Sequence, residues 1–347
     1  MYIIIAILLF GILILVHELG HYLTARIFKV AINEFSIGMG PKIFSRTSKK
    51  TEIVYSLRAL PIGGYVSMAG EDEESDNPNS FDKKPVWQRM IVTVAGSVFN
   101  VLLAFIVMFV LVASTPQIGS TQISKFRESA VSPQYDLQVG DIITEINGNK
   151  VHITREIGYY ISRYGIDPVD ITLIRNGEEF VLTDVVFAVA KDDASGYVYG
   201  QADFYVNISE KNVITVIKNG FFESCLTIRM LIDSLADLFS GAYGVEDLSG
   251  PVGVTTVIAD AAKTDAYQLF YIFVFIAMNL GVMNLLPFPA LDGGRLIVLF
   301  IELIIRRPVN KKVEGYINMA GMLVLFAFMA FITVKDIGMI IQKAAGK

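Results

Sequence analysis

The first twenty-five residues form a continuous apolar run in which, apart from tyrosines and the terminus, His17, Glu18 and His21 are the only ionisable side chains. A stretch of that length and apolarity predicts a transmembrane helix. Ionisable groups inside such a helix are costly, so their presence points to chemistry. Helical spacing of four puts the two imidazoles on one face, one turn apart, as two ligands of one tetrahedral zinc require. His17-Glu18-Leu19-Gly20-His21 fits the HExxH pattern of zinc hydrolases, and Glu18 stands where it can take a proton from a zinc-activated water. The alternatives are polar residues satisfied in a bundle interior, or a secretory signal peptide. No basic residue precedes the run and no small-residue cleavage site follows it, which argues against the second.

Composition agrees with a membrane class: 53% of residues are apolar and 18% charged. The net charge of −5 argues against nucleic acid as a partner. One cysteine, Cys225, excludes an internal disulfide framework and a cysteine-rich metal site. Any metal must then be held by His, Asp or Glu.

Four stretches predict transmembrane helices: about Tyr2 to Thr24, Met90 to Ala113, Tyr267 to Leu286 and Tyr316 to Val334. The loop from Arg26 to Arg89 carries ten Lys or Arg. Within it, Glu52 to Arg58 alternates as a strand does and Gly63-Gly64 then precedes Tyr65 to Met68, predicting a β-hairpin. The acidic run Glu71 to Asp76 reads as a solvated loop without chemistry. The third loop carries Arg295, Arg306, Arg307, Lys311 and Lys312, so the positive-inside rule puts both loops in the cytoplasm and the middle segment outside. Val213 to Phe239 is apolar but striped with Arg229, Asp233 and Asp237 at intervals of four, which predicts an amphipathic interfacial helix. The division expected is 1–113 (HExxH helix, hairpin, second span), 114–210 (external domain), 211–265 (interfacial helix and connector) and 266–347 (third and fourth spans).

The third span ends in Asn284-Leu285-Leu286-Pro287-Phe288-Pro289-Ala290-Leu291-Asp292-Gly293-Gly294-Arg295. Two prolines break the helix, a break tolerated at membrane depth where it lines a cavity. Catalytic zinc commonly has three protein ligands and an open position, and Asp292 is the best candidate for the third; the alternative is a solvated cap at a helix end. Four spans put Asp292 and His17 at the same end of the membrane, whereas a fifth through Val213 to Phe239 would separate them by most of a bilayer.

Together, HELGH in the first helix and NLLPFPALDGGR in the third resemble the site-2 protease family of intramembrane zinc metalloproteases, in its bacterial RseP/RasP-like branch. The resemblance covers nearly the whole chain. It implies zinc (Zn2+) held by His17, His21 and Asp292, Glu18 as catalytic base, and Asn284 beside Pro287 in substrate positioning, with helix packing as the alternative for Asn284. It implies that the hairpin containing Tyr65 is membrane-associated and meets substrate. Ala95-Gly96-Ser97-Val98-Phe99-Asn100 is similar to a family stretch that usually has proline where Ser97 stands, which leaves the local helix geometry open. Asn100 is a candidate along the substrate path or in a packing interface. Leu137 to Gly148, with its Gly-Asp-Ile-Ile run and Asn-Gly turn, is similar to a PDZ domain; one copy is counted, and His152 is expected on its surface.

The expected fold is an α-helical polytopic membrane protein with four transmembrane helices, a cytoplasmic-side membrane-associated β-hairpin and one extracytoplasmic PDZ-like α+β domain. The expected function is hydrolysis of peptide bonds within single-pass membrane proteins in the lipid bilayer of a bacterial inner membrane, the site lying near the cytoplasmic side. The resemblance points to pre-cut anti-sigma factors or remnant signal peptides as substrates. The PDZ-like domain is read as a filter against bulky substrates or as a docking module. Deleting residues 120–186 separates these, since loss of a filter lets intact substrates be cut and loss of docking slows cleavage. The rival class is a non-proteolytic PDZ-bearing scaffold with a structural metal, which leaves Glu18 without a purpose.

Overall fold

The apolar run folds as helix α1 (Tyr2–Ile27), the first of four helices among the described residues that are long and apolar enough to cross a membrane. The others are α2 (Val86–Ser114), α6 (Ala266–Asn284) and the first part of α8 (Lys311–Ala344). At 1.5 Å per residue the shortest, α6, is about 28 Å long, matching a hydrocarbon core of about 30 Å. The computed structural model describes residues 2–191, 197–241 and 248–344. The chain divides into two units, Met1–Val107 with Ile228–Lys347, and Met108–Thr227.

In the first unit α1 leads into strands β1 (Ile32–Thr47) and β2 (Val54–Met68). The expected hairpin is more elaborate than one turn. Residues 34–37 pair with Gly64–Ser67 in antiparallel register, and 44–47 pair likewise with Val54–Leu57. Residues 34–37 also lie beside Val54–Leu57, with both numbers rising together, so the two long strands bend into a small sheet of four segments. Gly38, Gly40 and Gly63 take positive φ at the bends. Ala25, Val30, Ile32, Ile53, Met68, Phe81 and Val92 form a buried cluster that seats this sheet against the ends of α1 and α2.

Two glycines let the helices close in. A Cβ on Gly20 of α1 would stand 2.5 Å from the Ala95 carbonyl of α2. One on Gly281 of α6 would stand 3.0 Å from the Ser97 carbonyl. Contacts of this kind are how membrane helices pack without a hydrophobic drive between them. Ser97 leaves α2 unbroken from Val86 to Ser114.

Two helices in this unit were not foreseen. Residues 292–305, expected as part of a polar loop, form α7 (Asp292–Ile305). α5 (Pro251–Thr264) starts with proline at its first turn, and its N-terminus is capped by the buried Asp336 of α8, which accepts from Gly253 N at 2.7 Å. Asp292 therefore opens a new helix instead of ending α6. Gly293 and Gly294 are not at positive φ; Ala290 is, at +72°. The glycines serve close approach, because a Cβ on either would collide with the Leu286 or Phe288 carbonyl of the turn.

The second unit contains β3 (Ile118–Phe126), β4 (Ile142–Ile146), β5 (Asn149–Lys150), α3 (Thr154–Tyr164), β6 (Val169–Arg175), β7 (Glu178–Val185), β8 (Ala188–Lys191), β9 (Val198–Gln201) and β10 (Phe204–Ser209). One antiparallel sheet runs β10-β3-β4-β6-β7, with β5 on β4, while β8 and β9 pair separately. The two Asn-Gly turns stand as read, Asn147-Gly148 and Asn176-Gly177 all at positive φ. Ile123, Ile143, Ile146, Ile157, Ile161, Ile171 and Leu173 make the core between sheet and α3. Part of the stretch searched for a second Gly-Asp-Ile-Ile motif, residues 192–196, lies outside the described residues. α4 (Val213–Ser240) covers the amphipathic segment and is not among the four candidate spans. His152, expected on the surface, is half-covered, its ring stacked on Phe222 of α4 at 3.8 Å.

Candidate metal centre

His17 and His21 lie about 15 and 9 Å from the C-terminal end of α1, on the face turned to α2. Asp292 joins them from the first turn of α7. His17 Nε2 is 3.1 Å from Asp292 Oδ2, His21 Nε2 is 3.5 Å from the same oxygen, and the two Nε2 atoms are 3.2 Å apart. Among the described residues these three form the one group of His, Cys, Asp or Glu arranged to hold a metal ion.

The spacing has a physical reading. His21 Nδ1 lies 2.8 Å from the Val92 carbonyl, an acceptor, so it carries the ring proton and Nε2 keeps its lone pair. Asp292 Oδ2 is buried with no hydrogen bond. Lone pairs turned on one another without protons repel unless a cation lies among them. Four ligands about 2.0–2.1 Å from a tetrahedral ion stand about 3.3 Å apart, which is the separation found. Gly96 of α2 clears the space: its Cβ would stand 2.7 Å from His17 Nε2 and closer still to His21 Nε2. The donor set, two neutral nitrogens and one carboxylate with no thiolate, suits zinc with an open fourth position.

Glu18 lines the same cavity of about 200 Å³, and its Oε2 accepts from Val66 N at 3.0 Å. Val66 lies in the segment of β2 that borders the site, so the sheet presents an edge to the centre. The next outward amide, Met68 N, faces Glu71 Oε2 at 3.4 Å. The acidic run is thus not merely a solvated loop: Glu71 and Asp72 bind Arg295 of α7, Asp72 at 2.6 Å, and Lys311 Nζ donates to the Gly70 and Glu71 carbonyls. Arg295 is one turn beyond Asp292, so this network holds the helix that carries Asp292. The far end of α7 is tied by Glu302, buried, to Arg89 at 2.7 Å. Sequence reasoning missed these partners. The usable signal was Arg295 itself, a charge three residues after Asp292.

Tyr65 lines the cavity, its hydroxyl 2.5 Å from Arg58 Nη2. Arg58 in turn binds Glu34 at 3.0 Å. Burial opposes the charge on Glu34, but hydrogen bonds from Ser56, Lys42, Arg58 and Tyr65 outweigh it and lower its pKa to about 2. Asn284 is half-buried at the last turn of α6, and Pro287 is exposed in the turn that follows. Asn100 is completely buried on α2, its side chain 3.5 Å from His17 Nδ1. None of these three lines the cavity.

The model of peptidase family M50 matches residues 5–328. A Fusobacterium nucleatum protein carrying a zinc-metalloprotease name is 38% identical over 96% of this chain and 97% of its own length. The Bacillus licheniformis zinc metalloprotease RasP is 30% identical, and the Bacillus subtilis regulator of sigma-W protease RasP 29%, each over 95% of this chain and 97% of the relative. With four helices of membrane-spanning length among the described residues and a two-histidine, one-carboxylate centre, the chain belongs to peptidase family M50 and is a zinc metalloendopeptidase of the site-2 protease type.

Proposed function

We propose that this protease cuts peptide bonds within the membrane segments of single-pass membrane proteins, with His17, His21 and Asp292 holding the zinc and Glu18 as general base. The observation that carries the reading is the convergence of His17 Nε2, His21 Nε2 and Asp292 Oδ2 at tetrahedral spacing beside the Glu18 carboxylate, with both histidines on a helix long and apolar enough to cross a membrane. When bound, zinc supplies a Lewis acid that makes water nucleophilic near neutral pH and polarises the scissile carbonyl. Glu18 takes the proton from the attacking water and returns it to the leaving amine.

A helical substrate hides its carbonyls in its own hydrogen bonds, so it must be drawn out before attack. The edge of β2 at Val66 and Met68 is suited to hold an extended chain by strand addition. The substrate carbonyl would then take the Val66 amide from Glu18, leaving that carboxylate free to act as base. Tyr65, Asn284 and Pro287 stand as substrate-positioning candidates around this path, the last two at the α6–α7 turn.

The basic residues of the β1–β2 region and of the α7–α8 connection favour a site toward the cytoplasmic face of a bacterial inner membrane, with residues 114–210, PDZ-like in sequence, outside. The B. subtilis relative is named for regulation of sigma-W. By that likeness the substrates are membrane-anchored regulators already trimmed outside, or remnant signal peptides.

The test is bound zinc and cleavage of a helix-destabilised single-span substrate by the detergent-purified protein, wild type beside Glu18→Gln. Stoichiometric zinc in both, with turnover in wild type alone, is expected. Equal cleavage by the two proteins would remove Glu18 from the mechanism, and absence of zinc from wild type would undo the reading at its root.

A further inference from the structure

The two imidazoles are not held alike. His21 Nδ1 donates to the Val92 carbonyl at 2.8 Å, which leaves its Nε2 as a lone pair toward the centre. For His17 to present Nε2 in the same way, its Nδ1 must keep the ring proton, and a buried N–H needs an acceptor. The Asn100 amide is the group in reach. Asn100 is fully buried, its Nδ2 lies 3.5 Å from His17 Nδ1, and its Oδ1 has no hydrogen-bond partner. Nitrogen and oxygen of an amide exchange places by a half-turn of the side chain. That half-turn turns the amide oxygen to the ring, giving Nδ1–H···Oδ1, and puts the amide nitrogen where the oxygen stood.

We infer that Asn100 is a positioning residue that fixes the tautomer and ring orientation of His17. Val92, Gly96 and Asn100 follow one another at intervals of four, so they share one stripe of α2. The stripe faces the pair of imidazoles one turn apart on α1. Val92 holds His21 by its carbonyl, Gly96 clears room for the metal, and Asn100 holds His17 by its side chain. Asn100 thus acts through the metal ligand and does not line the substrate path. The inference rests on the assignment of His17 and His21 as ligands.

The experiment measures zinc affinity of the full-length protein in detergent by chelator competition, for wild type, Asn100→Asp and Asn100→Leu, with KM and kcat recorded alongside. Asp keeps an acceptor; Leu keeps the volume and loses it. Asn100→Leu is expected to weaken zinc binding 10- to 100-fold, as outer-shell losses do, with Asn100→Asp within tenfold of wild type. A residue that only fills space gives the opposite order, with Leu tolerated and a buried Asp damaging. A residue on the substrate path raises KM and leaves zinc affinity alone. Either pattern overturns the inference. If the Leu variant does not fold, the histidine ¹⁵N spectra of zinc-loaded wild type and Asn100→Asp decide: a shift of the His17 Nδ1–H resonance with that of His21 unchanged is expected, and identical spectra refute it. Failure of wild type to bind zinc would instead count against the ligand assignment itself.

Discussion

Replacing Gly96 by alanine adds one methyl group to a helix and should still abolish the metal centre. The new carbon would stand 2.7 Å from His17 Nε2 and closer to His21 Nε2. Ordinary contacts between heavy atoms lie at about 3.5 Å, so the imidazoles or α2 must give way by about 0.8 Å. Metal sites tolerate departures of only about 0.2 Å from their ligand distances. A displacement four times that size should cost at least about a hundredfold in zinc affinity, or about 2.7 kcal/mol. In a helix interior the same exchange ordinarily gains about 1 kcal/mol in propensity, so a simple helix-stability argument has the opposite sign. The assay is chelator competition on purified protein, with thermal melting of the metal-free form to show that the helices persist. Val98→Ala, two residues on at a largely exposed position, is the control and should bind zinc as wild type does. Zinc affinity of Gly96→Ala within threefold of wild type would refute the geometry on which the metal reading rests.

Val66→Pro removes the outward amide that Glu18 accepts while sparing the pairing with Phe35, since proline is admitted where an edge N–H points away from its sheet. Zinc should stay bound and cleavage of membrane substrates should fall by about tenfold, the worth of one hydrogen bond of about 1 kcal/mol or more; unchanged cleavage would end the strand-addition hypothesis. The sheet should also be acid-sensitive through Glu34. Its folded pKa of about 2 lies below the ordinary 4.5, so its contribution is complete above pH 4.5 and lost as pH falls toward 2. Melting curves of wild type and Glu34→Gln should differ near neutrality and converge toward pH 2, and curves that stay parallel would show that Glu34 is not the titrating group.

The sequence was most legible where one element carries the whole signal. His17 and His21 can be paired from helical spacing alone, because four residues on a helix is a fixed geometry. The four apolar stretches were legible because length and hydropathy are local properties. Asn147-Gly148 and Asn176-Gly177 announced their turns for the same reason, positive φ being a property of two adjacent residues. The Asp292 assignment went further, combining the count of spans with the ligand rule of zinc, and the structure brings Asp292 Oδ2 within 3.5 Å of both imidazoles.

Tertiary structure decided what depends on two distant segments meeting. The register that folds β1 and β2 into four segments is set by bends, so an alternating pattern showed one hairpin and not the sheet. Gly293 and Gly294 looked like turn residues because sequence cannot distinguish freedom of φ from lack of room. The acidic run Glu71 to Asp76 looked solvated because its partners, Arg295 and Lys311, are more than two hundred residues away. The tautomers of the two histidines were out of reach for the same reason. They depend on a carbonyl at Val92 and an amide at Asn100, and only the packing of α2 against α1 brings these to the imidazoles. Sequence alone determined which atoms can bind a metal, since that is chemistry of the residue. Their protonation, orientation and room to work were decided by neighbours that chain order does not bring together.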